Sequence, residues 1–205
     1  MTTQVVLASR NPGKAEELRR ILADCGLPVE VLGAEVFADL PDIPETGASF
    51  AENSKIKAEA VARHTGLIAI ADDSGLAVDA LNGMPGILSA RWAGKAASDQ
   101  RNLDLVLEQV ADVSDDRRGA AFCCAASAAR IGPADNASFL VSEAEIRGRL
   151  LRERRGDHGF GYDPIFLPDG YDLTTAQMSS EAKDRISHRG QALSALAIQL
   201  ESWLV

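Results

Sequence analysis

Several stretches of the chain break the local rules of the elements they sit in, and they do so with residue types that can do chemistry. Ser9-Arg10-Asn11-Pro12-Gly13-Lys14 joins an apolar run to a helical pattern. Asn11 suits the N-cap and Pro12 the first helical position. Lys14 then falls in the first turn, where the helix dipole disfavours a cation. A lysine beside free backbone N–H groups makes an anion site, and phosphate is its natural ligand. The same residues also read as an ordinary capped turn with a solvated lysine. The segment is not a Walker A loop, because GxxxxGK[ST] is missing, and it is not a GxGxxG fingerprint.

Asp72-Asp73-Ser74-Gly75 follows an apolar run, residues 67–71. Carboxylates at the carboxyl end of a sheet strand lie where α/β folds place ligands. Two acids and a serine suit a hard cation bound through oxygen, magnesium above all. They also suit an Asx-type turn. Glu45, in the Pro-bounded loop Pro44-Glu45-Thr46-Gly47, can bring a carboxylate to a metal or simply be a solvated acid. In Gly159-Phe160-Gly161-Tyr162-Asp163-Pro164 two rings alternate with glycines, in a chain only 5% aromatic. Glycine lets a flat ligand approach the backbone, and a ring offers a base a stacking face. The alternative is a turn with two anchoring rings. Lys183 with Ser187-His188-Arg189 gathers positive side chains at the opening of a final helix. His64 and His158 receive no role. Lys55 and Lys57 read as a solvated helix face. Arg147, Arg149, Arg152, Arg154 and Arg155 read as a solvated basic surface that can steer anions.

The elements that must carry these residues follow from periodicity. Residues 4–8 predict a buried strand. Residues 13–25 predict a helix with Ala15, Leu18, Leu22 and Cys25 on one face, stopped by Gly26. Residues 38–48 predict a loop. Ser49 and Glu52 have capping-box spacing and open a helix to about Arg63. Strands are expected at residues 67–71 and 76–81, with the 72–75 turn between them. Residues 82–97 are irregular, and a helix is expected over 98–113. Two long extended stretches, 118–130 and 137–149, flank a hairpin turn. A short strand at 165–167 and a helix at 188–204 complete the set. Strands and helices alternate and a hairpin intervenes, so the expected fold is α/β with a mixed sheet.

Composition narrows the classes. The 205 residues carry 21 Lys+Arg against 30 Asp+Glu, a net charge of −9. That acidity argues against broad nucleic-acid binding, which needs phosphate neutralisation. A local patch or a metal still permits a small anionic ligand. A chain of this length buries roughly 70% of its unfolded surface, enough for a full core. Uncharged stretches, such as residues 119–129, are too short to span a bilayer, so no membrane role is expected. No basic n-region precedes the first apolar run, so no signal peptide is expected. The three cysteines, Cys25, Cys123 and Cys124, lack CxxC spacing, which leaves zinc and thioredoxin-type chemistry unsupported. A reducing cytoplasm is the expected setting.

Taken together the motifs resemble the inosine/xanthosine triphosphate pyrophosphatase family. They are SRNPGK (9–14), ETGASFAENSKIKA (45–58), ADDSGLAVDAL (71–81), GMPGILSAR (83–91), GFGYDPIF (159–166) and KDRISHR (183–189). The resemblance covers nearly the whole chain, in family order, as one domain over residues 1–205. It implies a long mixed β-sheet flanked by helices, in two lobes with a central cleft, and a homodimer. It also implies magnesium-dependent hydrolysis of ITP, dITP and XTP to the monophosphate and pyrophosphate. Ser9 and Arg10 stand where members often carry threonine and a variable residue.

By that resemblance, Ser9, Arg10, Asn11, Pro12, Gly13 and Lys14 cradle the triphosphate. Asp73 is the catalytic proton acceptor and a metal ligand, and Glu45 is a second metal ligand. Asp73 either takes the water's proton or orients a metal-polarised water. Ser74, Phe160, Gly161, Tyr162, Asp163, Lys183, His188 and Arg189 contact the substrate. Donors among the last three favour a 6-oxo purine over adenine. Two other classes compete. A magnesium phosphomonoesterase would want DxDx[TV], which is absent, and a regulatory nucleotide-binding module would bind without turnover.

Overall fold

The structure is a computed structural model, and it describes residues 3–204. Six strands form one sheet in the order β2-β1-β3-β4-β5-β6. They are β1 (Thr3–Leu7), β2 (Val29–Gly33), β3 (Ile68–Val78), β4 (Gly119–Ile131), β5 (Ala137–Leu150) and β6 (Phe166–Pro168). The helices are α1 (Pro12–Asp24), α2 (Phe50–Thr65), α3 (Asp99–Gln109), α4 (Ser180–Ile186) and α5 (His188–Leu204). β1 pairs in parallel with β2, Thr3 opposite Val29, and with β3, Val5 opposite Ile68. β5 pairs antiparallel with β6, Gly148 opposite Pro168. A Cβ at Gly148 would strike the Leu167 carbonyl, so this close pairing requires glycine. The mixed α/β sheet is the one expected.

The chain divides into two compact units. The first holds residues up to Asp73, Cys124–Ala144 and everything from Arg189; the second holds Ser74–Cys123 and Glu145–His188. In the first unit, β1 is buried on both faces, as a central parallel strand should be. Val5 and Leu7 pack with Leu18 and Leu22 of α1 and Leu193, Leu196 and Leu200 of α5. Val6 packs on the opposite side with Ala58, Val61 and Ala62 of α2. Each buried leucine contributes about 1.5–3 kcal/mol relative to exposure. In the second unit, Leu103 and Val106 of α3 pack with Leu76, Phe122, Ile165 and Phe166.

Caps set the helix starts. The Asn11 side chain accepts from Gly13 N at 2.9 Å, with Pro12 at the first helical position. Ser49 Oγ accepts from Glu52 N at 3.1 Å. Glu52 Oε2 in turn accepts from Ala48 N at 2.7 Å, one residue ahead of the expected capping-box partner. Gly66, at φ 70°, stops α2 in the left-handed conformation that glycine favours.

Three expectations are corrected. Residues 72–75 form no turn: β3 runs unbroken from Ile68 to Val78, and its successor at 79–81 is a helical turn. Asx-turn preference is local and loses to a strand whose two carboxylates are both neutralised by buried partners. α3 stops at Gln109 instead of 113: beyond it the chain tightens into three-residue turns, Ala111 N donating to Glu108 O and Val113 N to Val110 O, and arginines satisfy the carbonyls left over. Arg118 donates to Val110 O and Arg152 to Ala111 O and Val113 O. Lys183 does not open the last helix. It lies in the separate α4, capped by Ser179, and Ser187 at ψ 124° breaks the chain before α5.

Candidate active site

The unbroken strand settles where the two adjacent acids go. Successive strand residues face opposite sides. Ile70 packs against α1 and α5, whereas Ala69 and Ala71 pack towards α2. Asp72 therefore faces α1 and α5, and Asp73 faces α2.

Asp72 is nearly inaccessible, and two cations meet it. Lys14 Nζ donates to Oδ2 at 2.7 Å, and Arg189 NH2 donates to Oδ1 at 3.2 Å. Burial alone would push the Asp72 carboxyl up; the charges of Lys14 and Arg189 outweigh it and hold the group well below the usual carboxylate range. Arg189 also pairs with Glu17, one turn beyond Lys14 on α1. The lysine that sits badly for the helix dipole thus has its counter-anion in Asp72. Ser9 Oγ accepts from Asn11 N at 3.2 Å, which tightens the turn ahead of Lys14. Arg10 turns away to Asp42 and the Leu40 carbonyl.

On the other face, Lys57 Nζ donates to Glu45 Oε1 at 2.9 Å and to Asp73 Oδ1 at 3.0 Å. Asn53, fully buried one turn earlier on α2, donates Nδ2 to Asp73 Oδ2 at 3.1 Å. Its Oδ1 accepts from Gly47 N at 2.8 Å, so one amide ties the Glu45 loop to Asp73. Burial pushes the Asp73 carboxyl above its ordinary range against the pull of Lys57, and the Glu45 charge adds to the rise. Lys57 in turn is held in its charged form: burial opposes the charge, but Asp73 and Glu45 more than offset it.

Glu45 and Asp73 come from a loop and a strand, yet each puts an oxygen within 3.0 Å of one cationic nitrogen. An all-oxygen pair already converging on positive charge fits a hard divalent cation. Magnesium usually takes one or two protein carboxylates and completes its shell with water and substrate phosphates. Among the described residues no group of three or more His, Cys, Asp or Glu side chains could cage a metal unaided.

The second unit holds the remaining residues. Asp163 is buried; it accepts from Phe160 N at 2.9 Å and from Thr175 Oγ1 at 2.8 Å, and it pairs with Lys183. The Phe160 ring is 74% exposed, with the Lys183 ammonium 5.1 Å from its centroid. Tyr162 is different: it is buried and donates its hydroxyl to the Ser89 carbonyl at 2.8 Å. Burial pushes the Tyr162 phenol well up from its ordinary value. Of the two expected stacking rings, only Phe160 is free to stack. The Ser74 hydroxyl oxygen is buried with no hydrogen-bond partner among the described residues. The His188 ring stacks on Phe122, centroids 5.2 Å apart.

The structure thus brings Lys14 to Arg189 and Glu45 to Asp73, and it brings Phe160, Asp163 and Lys183 together. Lys183 pairs with Asp163, and Arg189 with Asp72. The basic run is largely spent on its own carboxylates: Arg147 pairs with Asp79, Arg152 with Asp115 and Arg154 with Asp104. Sequence reasoning missed Lys57, Asn53 and Glu17. Asn53 and Lys57 are four residues apart and so share a helix face. The missed signal was that this face also carries Ser54, Ala58 and Val61 to the interior.

Comparison with known proteins gives the family. The family model for the Ham1 family matches residues 5–199. The chain is 52% identical over 194 residues, 95% of each chain, to a Streptomyces coelicolor protein named dITP/XTP pyrophosphatase. It is 52% identical over 206 residues, 98% of each chain, to a Frankia alni protein of the same name. Among solved structures, a HAM1 protein from Coxiella burnetii superimposes with a TM-score of 0.89 at 41% identity, covering 98% of this chain and 100% of that one. The Staphylococcus aureus Ham1 protein gives 0.85 at 40%, with the same coverage. The motifs read from the sequence all fall inside the matched stretch, along with the acids and lysines that pair here, and the chain belongs to the Ham1 family.

Proposed function

We propose that this protein hydrolyses the triphosphates of non-standard purines, dITP, ITP, XTP and dXTP, to the nucleoside monophosphate and pyrophosphate. Such a reaction clears the nucleotide pool of precursors that would otherwise enter DNA and RNA. The observation that carries this reading is the convergence of Glu45 and Asp73 on Lys57, in a chain about half identical to proteins named for that activity.

Water attacks the α-phosphorus, the bond to the β-phosphate oxygen breaks, and pyrophosphate leaves. Asp73, raised by burial, is a better base than an ordinary carboxylate, and it accepts the water's proton or orients that water. Asn53 fixes the carboxylate's direction by holding Oδ2. Lys14, at the amino end of α1, offsets phosphate charge together with the 9–14 backbone. Asp72 keeps Lys14 and Arg189 oriented before substrate arrives. Glu45 and Asp73 would hold magnesium, which when bound polarises phosphate oxygens and offsets charge on the leaving group. Ser74, Phe160, Gly161, Lys183, His188 and Arg189 contact the nucleotide, and the Phe160 face stacks on the base. Tyr162 and Asp163 serve that contact from beneath, because both are buried and already hydrogen-bonded.

The same reading includes a homodimer working in the cytoplasm as a single functional domain. Light scattering in solution tests the dimer. Among the described residues no helix is long and apolar enough to cross a membrane.

The test is a panel of ITP, XTP, GTP and ATP with magnesium, assayed for pyrophosphate and orthophosphate separately. Pyrophosphate released from ITP and XTP, well ahead of ATP, is expected. Orthophosphate as the first product would replace this reading with a phosphomonoesterase. Binding without product would replace it with a regulatory module.

A further inference from the structure

The 159–163 loop contains two glycines in left-handed conformations, Gly159 at φ 78° and Gly161 at φ 60°. Such a loop has many conformations open to it, and Phe160 at its apex is largely solvent-exposed. Yet two carboxylates hold it from different elements. Asp163 Oδ2 accepts from Phe160 N, and Asp99 Oδ2 accepts from Gly161 N at 2.8 Å. These two amides belong to the peptide planes on either side of the Phe160 Cα. Fixing both planes fixes the direction of the Cα–Cβ bond, and so narrows the ring to the few χ1 rotamers that this direction allows.

Asp163 lies inside the loop and is also engaged by Lys183 and Thr175. Asp99 is sixty-two residues away in sequence, at the first position of α3. The capping of α3 is done by Ser98, whose hydroxyl accepts from Arg101 N at 3.3 Å. The Asp99 side chain is therefore free of the cap and spends its carboxylate on Gly161.

We propose that Asp99 is a positioning residue that aims the Phe160 ring at the purine base. The proposal rests on the reading that residues 159–163 meet the base. It assigns Asp99 no contact with substrate. Asp99 acts only through the Gly161 amide, and any side chain with an acceptor oxygen at that place should serve.

The experiment compares Asp99→Ala, Asp99→Asn and Phe160→Ala in the full chain. The first readout needs no substrate: amide hydrogen exchange of the 159–163 peptide in the free protein. Exchange at Gly161 should speed up in Asp99→Ala and stay near wild type in Asp99→Asn, whose side-chain oxygen still accepts. The second readout is steady-state kinetics. Asp99→Ala should raise KM for ITP about 3–10-fold, the loss expected for one hydrogen bond, with kcat within about twofold. Inhibition by inorganic tripolyphosphate, which has no base, should not change. Asp99→Asn should restore KM. Unchanged exchange at Gly161 in Asp99→Ala would overturn the proposal. So would an unchanged KM alongside a raised KM in Phe160→Ala, or a parallel loss of tripolyphosphate binding. If Phe160→Ala itself leaves KM for ITP unchanged, the assignment of this segment to the base falls, and the proposal falls with it.

Discussion

Replacing Lys57 with methionine keeps most of the side chain's stem and removes its charge. In the native protein the ammonium lies 2.9 Å from Glu45 Oε1 and 3.0 Å from Asp73 Oδ1, so those oxygens are at most about 6 Å apart. Without the lysine they face each other. At an effective dielectric near 20, two unit charges at that distance repel by about 3 kcal/mol. The side chains retain 28% and 10% of their exposure, so solvent relieves part of this. A loss of about 2–3 kcal/mol is expected. For a chain of this size that lowers Tm by roughly 4–12 °C.

The same geometry dictates how magnesium should act on the variant. In wild type a cation must compete with the ammonium for both carboxylates. In Lys57→Met it meets the two carboxylates without the ammonium. Magnesium at 100 times its Kd returns about 2.7 kcal/mol, which recovers most of the loss. The assay is a thermal melt of both proteins across a magnesium titration, without nucleotide. The variant's Tm should start low and climb steeply, while the wild type's rises little. A deficit that persists at every magnesium concentration, or an equal rise in both proteins, would refute the placing of the metal on Glu45 and Asp73.

Further predictions follow from other pairs. Asp73→Asn should lower kcat for ITP by about 10²-fold or more, with an unchanged far-ultraviolet spectrum, because the amide keeps the shape and loses the base. Lys14→Ala and Arg189→Ala share Asp72, so their destabilisations should couple. Urea unfolding of both single variants and the double should show the pair exceeding the sum by about 1–3 kcal/mol, because only the double leaves Asp72 buried without a cation. Arg118 is buried and donates to the carbonyls of Val110, Leu150 and Leu151. Arg118→Met should therefore cost about 3–5 kcal/mol in urea unfolding, through carbonyls left without donors.

Much of the fold was legible because its signals are local. Asn11-Pro12 and Ser49 mark helix starts through side chains that reach only three residues. The apolar spacing of Ala15, Leu18 and Leu22 marks the buried face of α1 without reference to anything else. The failures came where a distant group overrides a local preference. Tyr162 looked like a second stacking ring because the two rings alternate with glycines, but its hydroxyl finds the Ser89 carbonyl seventy-three residues earlier, and that fixes it inward.

The two adjacent carboxylates show the same limit more sharply. As sequence, Asp72-Asp73 is a pair of neighbouring acids, and proximity suggests one joint task. As strand, they are separated by the alternation that makes a sheet two-sided. One acid is neutralised from α1 and α5, the other from α2 and the Glu45 loop. That division explains how two buried carboxylates can sit side by side in one chain: each has its own cation, and the charges are screened on opposite faces. It also gives them different environments. Asp72, held far below its ordinary range by two cations, is a fixed anion that organises Lys14 and Arg189. Asp73, raised by burial and shared between Lys57 and Asn53, is the one to which the proposed mechanism gives the exchange of a proton or a ligand. Neither environment could be read from the two letters, because only pairing with neighbouring elements decides whether DDSG turns or runs on.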